Sequence, residues 1–205
     1  MINLAVFASG SGTNAENLVR YFDRHPEIKV ALILSNRPDA FVLQRAKQLN
    51  IPAFCFNKDD FQHNDKLLHL LADYRIDGLV LAGFLWLIPE QLLKAFPQRI
   101  INIHPALLPR HGGKGMYGRH VHEAVVAKGE KESGITIHLV DAEYDRGKIL
   151  FQAHCPVLPD DTPEAVATKV HELEYRHFPI EVERWANNYL RVMNYECGKI
   201  LIRNK

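Results

Sequence analysis

Ile2-Asn3-Leu4-Ala5-Val6-Phe7-Ala8-Ser9-Gly10-Ser11-Gly12-Thr13-Asn14-Ala15 decides the fold of this chain. Ile2–Phe7 is a short apolar run of the kind that makes a buried strand. The small residues after it form a turn, and the apolar spacing of Leu18, Val19 and Phe22 then predicts a helix. Strand, small-residue turn and helix open a βαβ unit. Gly10 and Gly12 let backbone approach a ligand, and Thr13 or Asn14 is placed to cap the helix. The amino end of such a helix attracts anions, so a phosphate is its natural guest.

Working outward, the same alternation continues. Lys29–Leu34 predicts a second strand, Ala53–Phe56 a short third and Gly78–Ala82 a fourth, wholly apolar as a sheet covered on both faces requires. Helices are predicted over Asp39–Asn50, with Phe41, Leu43, Ala46 and Leu49 inward, and over Asp60–Tyr74, with Leu67, Leu68, Leu70 and Leu71 packed. The fold class expected is α/β: an open, mostly parallel twisted sheet with helices on both faces. Read literally, Gly10-x-Gly12-x-x-Ala15 also meets the loose dinucleotide fingerprint. The second strand, however, ends in Ser35-Asn36-Arg37-Pro38, without the acid that would grip a ribose diol. Arg37 suits at best a 2′-phosphate, so a phosphate site is the better reading and an NADP site the poorer one.

The second decisive stretch is Ile100-Ile101-Asn102-Ile103-His104-Pro105-Ala106-Leu107-Leu108-Pro109-Arg110. On a strand Asn102 and His104 share one face while Ile101 and Ile103 take the other. Pro105 cannot continue a central ladder, so the strand stops there. An amide and an imidazole then stand together at a carboxyl strand end, where open α/β sheets bind ligands. Such a pair suits a reaction in which a carbonyl oxygen becomes an oxyanion. Taken alone, the stretch reads equally as a polar strand end closed by a histidine–backbone hydrogen bond.

Bulk properties narrow the field. The 205 residues are 47% hydrophobic and 24% charged, which fits one ordinary domain over residues 1–205 with a sizeable core. A formal net charge of +1 gives no footprint for nucleic acid or for an acidic membrane surface. Cys55, Cys155 and Cys197 are widely spaced and form no paired motif, which argues for a reducing compartment and against structural zinc. No apolar run reaches membrane length and no signal peptide is evident at Met1, so a cytoplasmic location is expected.

Later segments supply loops around the predicted strand ends. Gly83-Phe84-Leu85-Trp86-Leu87-Ile88 continues apolar past the fourth strand and serves as core or as the wall of a flat heterocycle's pocket. His111–Arg119 is glycine-rich, lacks the Ser or Thr of a Walker loop and reads as a mobile flap. His120 and His122 fall short of a metal ligand set, and no metal is expected. Gly134–Val140 alternates Ile135, Ile137 and Leu139 with Thr136 and His138, predicting a half-exposed strand. Asp141-Ala142-Glu143-Tyr144-Asp145-Arg146-Gly147 is an acidic turn, of which one carboxylate could orient His104. Thr162-Pro163-Glu164 starts a helix that runs to about Trp185. Tyr189–Asn194 and Ile200–Arg203 look like a C-terminal β-hairpin.

Ala8–Asn14, Leu81-Ala82-Gly83-Phe84, Ile101–Pro109 and Asp145-Arg146-Gly147 together resemble the motif set of the folate-dependent formyltransferases, over essentially the whole chain. The resemblance implies a Rossmann-like formyltransferase fold. The N-terminal loop and the length are most similar to the branch that acts on glycinamide ribonucleotide. For that branch it implies formyl transfer from the co-substrate 10-formyltetrahydrofolate to the ribonucleotide's amine, in de novo purine biosynthesis, with no metal. The catalytic residues would be Asn102 and His104, stabilising the oxyanion, and Asp145, which would hold and polarise His104 and aid water-mediated proton transfer from the amine to the departing folate nitrogen. Gly10, Ser11, Gly12, Thr13 and Asn14 would hold the ribonucleotide's phosphate, with Lys169 or His171 near it and Glu174 on the ribose hydroxyls. Leu85, Trp86, Leu87 and Ile88, with the backbone from His138 to Tyr144 including Val140 and Asp141, would receive the pterin. His111–Arg119 would close over both substrates. The chain departs from many relatives at Trp86 and Phe61, where those carry arginines for the folate's glutamate tail; Lys58, Arg110 and Arg119 are the local cations that remain.

Other readings share parts of this pattern. A formyltetrahydrofolate hydrolase and the formyltransferases of methionyl-tRNA or sugar nucleotides use the same Asn-His-Asp centre. The hydrolase and the tRNA enzyme usually carry a further domain, for which 205 residues leave no room, and near-neutral charge disfavours tRNA. An NADP-binding protein or a non-catalytic module on the same fold are the remaining alternatives. Monomer and homodimer are both compatible with the sequence.

Overall fold

A computed structural model describes residues 1–62 and 65–191. Seven strands form one sheet: β1 (Ile2–Phe7), β2 (Ile28–Ser35), β3 (Ala53–Cys55), β4 (Gly78–Ala82), β5 (Ile100–His104), β6 (Glu132–Leu139) and β7 (Ile149–Pro156). Their order is β3-β2-β1-β4-β5-β6-β7. The first five run parallel, and β6 and β7 extend the sheet antiparallel. The sequence order turns back beside β1, which has β2 on one side and β4 on the other. Loops at the carboxyl ends of β1 and β4 splay apart at such a switch point and leave a crevice.

Helices cover both faces. Leu18, Val19 and Phe22 of α1 (Thr13–Phe22), Val125 of α6 (Arg119–Ala127) and Val166, Val170, Phe178 and Val182 of α7 (Pro163–Trp185) pack on one face. Val42 and Ala46 of α2 (Phe41–Gln48) join them. The other face is closed by Phe61 of α3 (Lys58–Gln62), Leu67 and Leu71 of α4 (Lys66–Asp73) and Leu92 of α5 (Glu90–Ala95). At roughly 1.5–3 kcal/mol per fully buried large apolar side chain, these two layers supply the main drive to fold. Among the described residues no helix is long and apolar enough to cross a membrane.

Four local expectations change. Phe41 does not turn inward but is exposed, with the Arg45 guanidinium 5.0 Å over its ring, while Val42 takes the core position. The helix expected over Asp60–Tyr74 is two helices, α3 and α4, and Leu68 and Leu70 are only partly buried. Strand β6 is buried from Ser133 to Leu139, Thr136 and His138 included, because β5 and β7 flank it. Thr136 and His138 bond to β5 and the turn after it rather than to water. The expected C-terminal hairpin lies mostly outside the described residues; within them, Tyr189 and Leu190 belong to a turn of π-helix, Ala186–Leu190, that prolongs α7.

Candidate active site

The crevice at the switch point is a cavity of about 590 Å³, within the size range of small-molecule sites. Its floor is made by strand ends. Leaving β1, the chain is tied to β4 by the Ser9 N–H on the Gly83 carbonyl at 3.0 Å, and the Ser9 hydroxyl accepts the Leu85 N–H at 3.1 Å. Gly12 then occupies the left-handed region (φ 73) and starts α1 without any side-chain cap, so neither Thr13 nor Asn14 serves as one. A Cβ on Gly12 would run into Val42, so a side chain is excluded both by space and by backbone. The result is an uncapped helix end opening on the cavity, lined by Gly10–Asn14.

Across from that loop, Asn14 donates from Nδ2 to Glu174 Oε2 at 2.9 Å. Glu174 is 7% exposed; burial pushes its carboxyl above the ordinary range, against the opposing Asn14 hydrogen bond and the nearby His171. His171 and Glu174 share one face of α7, three residues apart, and both line the cavity. Lys169 does not join them. Two residues before His171 it lies on the opposite side of the helix, where its ammonium pairs with Asp161 at 2.5 Å and reaches the Pro156 carbonyl at 3.2 Å. His122, from α6, lines the same end. Burial and the neighbouring His171 and His104 push its imidazole down to about 4, and its Nδ1 has no partner.

At the centre stand Asn102 and His104, on one face of β5 as their spacing requires. Asp145, in the left-handed region (φ 56), brings its carboxylate to both. Oδ2 lies 3.5 Å from His104 Nδ1, and Oδ1 lies 3.5 Å from Asn102 Nδ2 and 3.6 Å from His138 Nε2. Its only short contact among these is the Gly113 N–H, 2.9 Å from Oδ2. Burial alone would raise the Asp145 carboxyl, but the neighbouring His138 and His104 imidazoles and the Gly113 N–H outweigh it and hold the group below its usual range. Burial pushes the His104 imidazole down despite the neighbouring carboxylate. His104 Nε2 is 2.8 Å from the His111 carbonyl, which only accepts, so the proton sits on Nε2 and Nδ1 faces Asp145.

The sequence reading missed His138. Antiparallel pairing sets it directly opposite Asn102. Its Nδ1 faces its neighbour's carbonyl, Leu139 O, at 2.8 Å and therefore carries the proton of the neutral ring. Nε2 is then the acceptor for Asn102 Nδ2 at 3.0 Å, which fixes which way the amide points. The signal was present in the alternation of β6, but a polar residue on a strand reads as solvent-facing until its neighbours are known. Thr136, one pleat along, braces the turn after β5: its hydroxyl donates to Ala106 O at 2.7 Å and accepts the Leu108 N–H at 2.9 Å.

The pterin wall is only partly as expected. Phe84, Leu85 and Tyr144 line the cavity. Trp86 does not; it packs on Phe56, Phe61 and Phe84 with ring centroids 5.5–6.3 Å apart, so both positions expected to hold arginines belong to an aromatic cluster. Ile88 is buried in the core below, and Leu87 is 39% exposed. Of Leu85, Trp86, Leu87 and Ile88, Leu85 lines the cavity and the other three do not. Val140 donates its N–H to Ile100 O at 3.0 Å, and Asp141 accepts the Glu143 N–H at 2.9 Å; neither lines the cavity. Arg110 is held by Glu130 and Glu132, and Arg119 by Glu123 and Glu164. The glycine-rich flap, Gly113–Gly118, does border the cavity. Among the described residues no cluster of three or more His, Cys, Asp or Glu side chains is arranged to hold a metal ion.

Comparison with known proteins agrees with this architecture. The formyl transferase family matches residues 2–182. A chloroplastic phosphoribosylglycinamide formyltransferase of Arabidopsis thaliana is 40% identical over 98% of this chain and 70% of its own length. The phosphoribosylglycinamide formyltransferase of Haemophilus influenzae is 34% identical over 98% of this chain and 96% of its own. Among solved structures, the Anaplasma phagocytophilum phosphoribosylglycinamide formyltransferase superposes with a TM-score of 0.83 at 31% identity, covering 91% of this chain and 87% of that one. The chain belongs to the formyl transferase family, and its relatives there are phosphoribosylglycinamide formyltransferases.

Proposed function

We propose that this single-domain enzyme transfers the formyl group of 10-formyltetrahydrofolate to the primary amine of glycinamide ribonucleotide, a step of purine biosynthesis. The observation that carries the reading is the convergence of Asn102, His104 and Asp145 on a cavity whose far end is an uncapped helix start. A phosphate fits the Gly10–Asn14 loop and the α1 amino end. Glu174 and His171 offer an acceptor and a ring to the sugar beside it, which points the ribonucleotide's amine toward β5. The folate donor enters from the side of Leu85 and Tyr144, with its formyl group between Asn102 and His104.

The amine adds to the formyl carbon, and the formyl oxygen gains negative charge. Asn102 meets that charge with an amide N–H, its orientation fixed by His138. His104 works through Nδ1, because Nε2–H is committed to the His111 carbonyl. As a neutral base Nδ1 takes a proton from the attacking amine, directly or through a water. Once protonated it donates to the oxyanion, with the ionised Asp145 balancing its charge. The proton then passes to the departing folate nitrogen as the C–N bond breaks, leaving formylated ribonucleotide and tetrahydrofolate.

A spectrophotometric assay with a 10-formyl folate donor, with and without glycinamide ribonucleotide, tests this. Deformylation that depends on the ribonucleotide is the expected result. Deformylation without it, releasing formate, would make the protein a hydrolase. No deformylation under either condition would remove the folate half of the proposal.

A further inference from the structure

The carbonyl that fixes the proton of His104 belongs to His111, a residue whose side chain has no part in the chemistry above. His111 is a non-glycine residue in the left-handed region (φ 55), a conformation unfavourable for an L-residue. Its neighbourhood maintains it there. The ring is buried, and its Nε2 lies 2.9 Å from Glu130 Oε1. Glu130 is itself held by Arg110 Nη1 at 2.9 Å from its other oxygen. His111 Nδ1 is buried with no partner among the described residues, and Nε2 carries a proton that Glu130 accepts.

The backbone that follows reaches the other central residue. Gly113 gives its N–H to Asp145 Oδ2 at 2.9 Å. Between them, a Cβ on Gly112 would meet Leu108 Cδ2 at 2.5 Å and Asp145 Cβ at 3.3 Å, so those side chains would have to shift to admit one. Residues 111–113 therefore grip His104 through a carbonyl and Asp145 through an N–H, and the only side-chain anchor of the segment is the His111 ring on Glu130.

We propose that the His111–Glu130 pair is a positioning device for His104: it holds the residue 111 carbonyl where the imidazole must carry its proton on Nε2 and turn Nδ1 to Asp145. The proposal rests on the reading of His104 as the proton-transfer group of formyl transfer. It makes Glu130, which does not line the cavity, a determinant of turnover without contact with substrate. A misplacement of the carbonyl loosens both the tautomer and the Nδ1 direction, and small misplacements of a reacting group cost on the order of 10- to 100-fold in rate.

The test combines nitrogen NMR of histidine-labelled protein, free of ligands and in mildly alkaline buffer, with steady-state kinetics. The His104 signals are assigned by their loss in His104→Gln. The expected wild-type pattern is a protonated Nε2 and an unprotonated Nδ1. Glu130→Ala is expected to mix the two tautomers and lower kcat about 10-fold or more, with KM for both substrates little changed. Glu130→Gln, which keeps an oxygen for the His111 ring, should restore both readouts. His111→Gly, which accepts the left-handed backbone but removes the anchor, should resemble Glu130→Ala. A wild-type His104 pattern in Glu130→Ala overturns the proposal, whatever its turnover. If the wild-type protein transfers no formyl group while the tautomers respond as stated, the positioning device stands and the assigned reaction fails.

Discussion

At the scale of single residues, the proposed centre depends on three polar groups, two on one strand and one in a turn, each told which way to face. Asn102 is oriented by His138, His104 by the His111 carbonyl, and Asp145 by the Gly113 N–H. Asn102→Ala and His104→Ala are expected to lower kcat roughly 10²–10³-fold while leaving the far-UV circular dichroism unchanged, since in the proposed mechanism each removes a group that acts on the developing oxyanion. His138→Phe keeps the Asn102 amide but frees its orientation. It should lower kcat about 10-fold, less than Asn102→Ala, with substrate KM values unaltered in steady-state kinetics. Equal losses in the two variants would give His138 a direct role instead. The pairing of Asn102 with His104 was legible in strand alternation, whereas Asp145 was singled out among the acids of its turn only by the resemblance to the formyltransferases. His138 and His111 were not, because one acts through a cross-strand pairing and the other through its backbone, and neither is written in local spacing.

Elements were legible where both ends and the period lie within one segment. The α7 helix is the clearest case: Thr162 caps it by accepting the Ala165 N–H at 3.2 Å, Pro163 stands in its first turn and apolar residues recur to Trp185. Thr162→Ala should cost about 1 kcal/mol in urea unfolding, the usual value of an N-cap, with no effect on catalysis. A cost near zero would show that Pro163 alone sets the helix start. Legibility failed where neighbours decide. Strand β6 alternates like a half-exposed strand, yet β5 and β7 on either side and α7 over its face bury it. Lys169 shows the same limit at helix scale, since its charge suggested a phosphate partner and only the helical angle relative to His171 turns it to Asp161.

For the whole molecule, the crevice is where the fold accepts unfavourable burial. Three ionisable groups there have their charged forms penalised, Glu174 pushed up and His122 and His104 pushed down, and the carbonyl-type oxygen of Asn14 lies buried without a partner among the described residues. Unpaired buried groups of this kind destabilise the free protein and are the ones a ligand would satisfy. The signs of their pH dependence are opposite. His122 has a folded value near 4 against an ordinary 6.5, so its contribution is present above 6.5 and is lost as pH falls toward 4. Glu174 has a folded value above the ordinary 4.5, so its contribution is present below 4.5 and is lost as pH rises through the folded value. Glu174→Gln replaces the ionising group with a neutral one of the same shape that keeps an oxygen for Asn14. Its thermal midpoint should match that of the wild type below about pH 4.5 and exceed it increasingly as pH rises, levelling off once Glu174 is fully ionised. The same variant should bind the ribonucleotide more weakly at neutral pH, because the carboxylate that destabilises the empty cavity is the acceptor offered to the sugar. A variant more stable at neutral pH but equal in ribonucleotide affinity would separate the two effects and remove Glu174 from the acceptor site. A midpoint difference that does not vary with pH would show instead that the carboxyl never ionises within the folded cavity.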